Sequence, residues 1–152
     1  MCGIAGIINF NNIEVKKNNL KLMISKILHR GPDGESYWIN NNIGFGHCRL
    51  AIIDKSSNGA QPMTSYDGRY VISYNGEVYN FKDLKKILEK KYKFKSSTDT
   101  EVVLYSLIEW GTDALNKFNG MFALSFFDRK KQELIIARDR YGIKSFSGKT
   151  EL

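Results

Sequence analysis

Proline, cysteine, histidine and tryptophan each occur only twice in these 152 residues. Two cysteines, Cys2 and Cys48, make no disulfide framework, and that usage predicts a reducing, cytoplasmic setting. Two histidines, His29 and His47, without neighbours at ligand spacing, give no zinc site, so no metal is expected. Both read as structural hydrogen-bonding side chains. No apolar run is long enough to span a bilayer, and the opening M-C-G-I-A-G-I-I-N-F has no basic segment before it, so neither a membrane span nor a secretion signal is predicted. The net charge is +7, yet the lysines are dispersed. In the densest stretch, Lys82 to Lys95, arginine and aromatic residues do not interleave. It reads as a solvated helix face and a loop, which argues against a nucleic-acid partner.

What is present is ordinary for one soluble domain: 42% hydrophobic and 26% charged residues, enough for a core at this length. Cys2 to Asn9 is small, branched and apolar and predicts a buried strand. Leu20, Met23, Ile24, Ile27 and Leu28 recur at helical spacing and predict an amphipathic helix ending before H-R-G-P-D-G. S-Y-W-I and I-G-F-G-H-C-R-L-A-I-I-D predict two strands joined by an asparagine turn. R-Y-V-I-S-Y predicts a strand running into N-G-E-V-Y-N. Asn80 is the expected cap of a helix through Lys91. Thr98 and Glu101 have capping-box spacing before a helix that stops at Gly111. G-M-F-A-L-S-F-F-D and E-L-I-I-A-R-D predict two more strands around a turn at Arg129 to Gln132. Hairpin-paired strands with helices in separate runs predict an α+β layered sandwich.

Cys2 raises the chemical question. It can be a small hydrophobe in a first strand. Removal of Met1 would instead leave one residue carrying both a thiol and a free α-amine. The thiolate is a nucleophile, and an α-amine titrates near pH ~7.7–8.0, so it can accept a proton at neutral pH. Acyl transfer from an amide also needs oxyanion donors. Asn75 offers a side-chain amide, and Gly76 offers a backbone N–H where a missing Cβ lets a substrate approach. Arg49 can clamp a carboxylate, and Asp99 or Glu77 can hold an ammonium group. Each has a plainer reading. Asn75-Gly76 has the composition of a tight turn, Arg49 that of a surface ion pair, and Asp99 that of a helix N-terminal acid.

The stretches M-C-G-I-A-G, H-R-G-P-D-G, G-H-C-R-L-A-I-I-D, Q-P-M, Y-N-G-E-V-Y-N, D-T-E-V-V-L, F-N-G-M-F-A-L and A-R-D-R-Y-G-I-K occur in order across residues 2–144. Together they resemble class II glutamine amidotransferases, those with an N-terminal nucleophile. Within these, the chain is most similar to the glutaminase domain of glutamine-hydrolysing asparagine synthetases. Sister families carry T-R-W or T-R-Y at Cys48-Arg49-Leu50 and H-N-G at Tyr74-Asn75-Gly76. The resemblance implies a four-layer α-β-β-α sandwich of two antiparallel sheets. It implies that Cys2 forms a glutamyl thioester, Asn75 and Gly76 hold the oxyanion, and Arg49, Glu77 and Asp99 bind glutamine. No cofactor is implied for this domain. ATP and Mg would belong to a synthetase domain whose S-G-G-x-D-S loop has no counterpart here, so a separate synthetase subunit or a homodimer is the expected partner.

The family pattern G-x-K-P-L-Y-Y breaks after Lys144. Residues 2–144 therefore read as a glutaminase domain lacking its last strands, and 145–152 as an unrelated tail, from gene truncation or a cloned fragment. Two other outcomes follow from such a break: a non-catalytic glutamine-binding module, or the remnant of a longer gene. Related proteins pass ammonia to sugars or other carboxylates, which leaves the acceptor open.

Overall fold

The computed structural model describes residues 2–149, which form two antiparallel sheets packed face to face. The first contains β1 (Gly3–Ile8), β2 (Gly34–Asn40) and β3 (Ile43–Arg49) in the order β1-β3-β2. The second contains β4 (Met63–Thr64), β5 (Tyr70–Val78), β6 (Gly120–Asp128) and β7 (Glu133–Arg138) in sequence order. Side-chain alternation along each strand gives every sheet an inner and an outer face. Phe45 of β3 meets Val71 of β5 and Phe127 of β6 between the sheets, with Trp38 stacked on Phe45 at 5.6 Å.

On the outer face of the first sheet, Leu20 and Ile24 of α1 (Lys17–Ile27) press on Gly44 and Gly46 of β3. On the outer face of the second, Ile72, Tyr74, Val78 and Leu124 pack with Leu84 and Leu88 of α2 (Phe81–Leu88) and Val103 and Leu107 of α3 (Asp99–Trp110). The result is the α-β-β-α layering that the resemblance implied, with three α-helices among the described residues.

Four local expectations are corrected. β1 is an edge strand of half-buried residues rather than a buried one, because it pairs only with β3. β3 ends at Arg49, and residues 50–54 leave the sheet as a loop. Asn75 and Gly76 form no turn. They lie inside β5, paired with Ala123 and Phe122 of β6. Asn80 does not cap α2, which ends at Leu88 rather than Lys91. Its amide donates to the Lys117 carbonyl and accepts from the Asn119 N–H, tying α2 to the approach of β6. Thr98 does cap α3, accepting from the Glu101 N–H. The Glu101 carboxylate turns instead to the N–H groups of Lys95 and Ser96.

Candidate active site

Cys2, Arg49, Asn75, Gly76, Glu77 and Asp99 line one cavity at the end of the gap between the sheets. Cys2 enters from the start of β1, Arg49 from the end of β3, the three central residues from β5, and Asp99 from the first turn of α3. The structure therefore brings together all six residues singled out in the sequence.

The segment before β2 holds the Cys2 end of the cavity. Arg30 Nε donates to the Cys2 carbonyl at 3.2 Å. A Cβ on Gly31 would lie 2.4 Å from the Cys48 carbonyl carbon, so only glycine lets this segment press against the end of β3. Asp33 accepts from the Ala51 N–H at 2.8 Å and fixes the loop after β3. The Leu50 N–H points at Cys2 Sγ at 3.3 Å. The thiol in turn reaches the Leu50 carbonyl at 3.6 Å, so both backbone groups of Leu50 hold the sulfur at the cavity.

Gly76 is glycine for a different reason from the one expected. A Cβ there would stand 2.4 Å from the Met121 carbonyl oxygen and 2.7 Å from Phe122 Cβ. The missing side chain makes room for β6, not for a substrate. The Asn75 side chain makes no hydrogen bond to the described residues, is 8% exposed and borders the cavity, so its amide is available to a bound molecule. Arg49 is not a surface ion pair: its guanidinium donates to the carbonyls of Ser56, at 2.8 Å, and Asp54. Two of its five N–H groups are so engaged, which aims the remainder without consuming the charge. Asp54 in turn accepts from the Ser97 N–H, linking this loop to α3.

The two acids are set by burial. Burial raises the Asp99 carboxyl above its ordinary value, against hydrogen bonds from Tyr74 and the Val78 N–H. Burial also raises Glu77, the Asp99 charge adds to it, and the Lys144 charge opposes both. A cation placed between these carboxylates would relieve their repulsion. Among the described residues, no group of three or more His, Cys, Asp or Glu side chains is placed to hold a metal, and no helix is long and apolar enough to cross a membrane.

Sequence reasoning passed over four residues here. Arg30 and Asp33 lay in H-R-G-P-D-G, which read locally as a loop and helped carry the resemblance, with no role given to either residue. Gln61 accepts from the Tyr74 N–H at 2.7 Å and donates to Thr100 Oγ1 at 3.2 Å, bridging β5 and α3. His47, expected to be a structural hydrogen-bonder, lines the cavity at 1% exposure with its Nε2 bonded to none of the described residues. Nothing in a lone histidine signals which face of a strand it will take.

Burial, followed by the Arg49 charge, lowers His47 to about 4. Its folded pKa lies below its ordinary value of 6.5, so the unfolded chain binds the extra proton first. The resulting stability is complete above pH 6.5 and is lost as pH falls toward 4, about 3 kcal/mol over the window. The raised Asp99 and Glu77 oppose this at its acid end. Thermal melts at pH 7 and pH 5 are expected to show a falling Tm that flattens in His47→Gln. An equal fall in both proteins would remove His47 as its source.

Residues 1–150 match the glutamine amidotransferase domain family. The chain is 43% identical over 150 residues to "Asparagine synthetase [glutamine-hydrolyzing] 3" of Bacillus subtilis (strain 168), covering 96% of this chain and 24% of that protein. It is 34% identical over 144 residues to "Asparagine synthetase B [glutamine-hydrolyzing]" of Escherichia coli (strain K12), covering 94% of this chain and 26% of that one. It thus spans about a quarter of the length of these curated relatives. The glutamine phosphoribosylpyrophosphate amidotransferase of B. subtilis superposes with a TM-score of 0.73 over 90% of this chain and 37% of that one, at 20% identity, which speaks for the fold alone. With the family match running the length of the two-sheet domain that carries Cys2 and its cavity, this chain belongs to the glutamine amidotransferase domain family.

Proposed function

We propose that this chain hydrolyses the side-chain amide of glutamine to glutamate and ammonia, with Cys2 as nucleophile. The observation that carries this reading is the single cavity in which a thiol, an unengaged amide, a guanidinium and two carboxylates converge. That set complements an α-amino acid with a terminal carboxamide. Arg49 takes the α-carboxylate, Asp99 and Glu77 take the α-ammonium, and the carboxamide is left beside Cys2.

Once Met1 is removed, the Cys2 α-amine accepts the thiol proton and the sulfur attacks the amide carbon. The carbonyl oxygen becomes an oxyanion received by the Asn75 amide and the Gly76 N–H. Such donors act where charge develops in the transition state. The amine returns the proton to the departing nitrogen, the C–N bond breaks, and ammonia leaves a glutamyl thioester. Water, deprotonated by the same amine, then attacks the thioester carbon. The C–S bond breaks and glutamate leaves.

The names of the relatives point to asparagine synthesis as the use of the ammonia. ATP and Mg would serve that step on a synthetase domain or subunit rather than on the residues described here, and glutamine is the partner of this cavity. The test is glutamate and ammonia released from glutamine by the purified chain. One ammonia per glutamate supports the reading, whereas glutamine binding without release would make the chain a binding module.

A further inference from the structure

Asp99 owes its arrangement to a side chain on the opposite face of β5 from Asn75. The Tyr74 hydroxyl donates to Asp99 Oδ2 at 2.6 Å, and the Val78 N–H donates to the same oxygen at 3.0 Å. Tyr74 is 2% exposed and Asp99 5% exposed. The bridge by Gln61 from the Tyr74 N–H to Thr100 holds strand and helix in register behind this contact. Both donors fall on Oδ2 of a carboxylate that lines the cavity. A buried carboxylate without such donors would carry a large desolvation cost and tend to take up a proton. Burial and the adjacent Asp99 charge push the Tyr74 phenol well above its ordinary range, so it stays a donor.

We propose that Tyr74 is a positioning residue that fixes Asp99 as the receptor for the substrate's α-ammonium, and so sets the preference for an α-amino acid over the same amide without the amine. This rests on the glutamine reading of the cavity. Tyr74 borders the same cavity, and its part in this proposal is played through its hydroxyl on Asp99. A protein with histidine or phenylalanine at this position has to secure that carboxylate by other means.

The test compares glutamine with its des-amino analogue, 4-carbamoylbutanoate, using the full chain, Tyr74→Phe, Asp99→Asn and the double variant. A hydrogen bond to a charged group contributes roughly 1.5–3 kcal/mol, or about 10- to 100-fold. Tyr74→Phe is expected to raise the KM for glutamine by about 10-fold or more on that basis. The kcat for glutamine and the kcat/KM for the analogue should hold within about twofold, a margin smaller than the net value of one neutral hydrogen bond. In the Asp99→Asn background, adding Tyr74→Phe should change nothing further.

Equal losses on both substrates would overturn the proposal, since that is what a packing role predicts. A Tyr74→Phe effect that persists without the Asp99 carboxylate would also overturn it. Should the unaltered chain turn over neither substrate, or both equally well, the glutamine reading itself falls and this inference with it. Failure of the inference alone is told apart by an unaltered chain that still prefers glutamine.

Discussion

Cys2→Ala is expected to bring glutamate release down to background while leaving the fold intact. In acyl-transfer sites, loss of the nucleophile costs on the order of 10⁶-fold in kcat, far beyond what any binding residue contributes. The substitution keeps the α-amine and the small size of the residue, so only the sulfur is removed. Its structural cost is small: Cys2 is half-buried, and its sulfur contacts in the fold are the Leu50 N–H at 3.3 Å and the Leu50 carbonyl at 3.6 Å. The other thiol does not stand in for it. Cys48 is fully buried on the face of β3 turned toward α1, where its Sγ reaches the Ile27 carbonyl. Steady-state release and a thermal melt, measured together, check both halves. Residual turnover within tenfold of the unaltered chain would move the nucleophile elsewhere.

Asn75→Ala is expected to lower kcat by about 10²- to 10³-fold, the range for removal of one oxyanion donor, with KM changed little. The split follows from timing. The amide is required when the carbonyl oxygen becomes charged, not when neutral substrate arrives. Stability should be nearly unaffected, because the side chain makes no hydrogen bond to the described residues and the β5–β6 ladder runs through backbone groups. Asn75→Asp is the sharper companion, since it keeps the shape and replaces the donor with a negative charge facing the oxyanion. A KM effect without a kcat effect would make Asn75 a substrate-binding residue instead.

Much of the fold was legible because local signals agreed with the tertiary outcome. The alternation of β5 and β6, the Thr98 cap and the stop at Gly111 all belong to that group; Gly111 takes a φ of 58°. Where they disagreed, longer-range pairing prevailed. Asn75-Gly76 has turn composition, yet a nine-residue ladder with β6 holds it extended. The Asn80 side chain gives up capping because the segment before β6 supplies both a donor and an acceptor for it. The grouping of Cys2, Arg49, Asn75, Gly76, Glu77 and Asp99 was readable as chemistry, since each carries a functional group that an amide-cleaving site calls for. The residues that hold them were not. Tyr74 acts from the outer face of β5, Gln61 acts from the loop before β4, and Arg30 acts on a backbone carbonyl. Such contacts leave no spacing pattern in the chain, because they join segments far apart in sequence.

For Cys2 to be both nucleophile and base, its own nitrogen has to be a free amine. An amide nitrogen there is not basic at any working pH. The direct measurement is glutamate release by the chain beginning at Cys2 beside the same chain with Met1 retained, each form verified by intact mass. Release by the first and background from the second is the predicted result. Equal rates from the two forms would contradict it and would assign the proton transfer to another group.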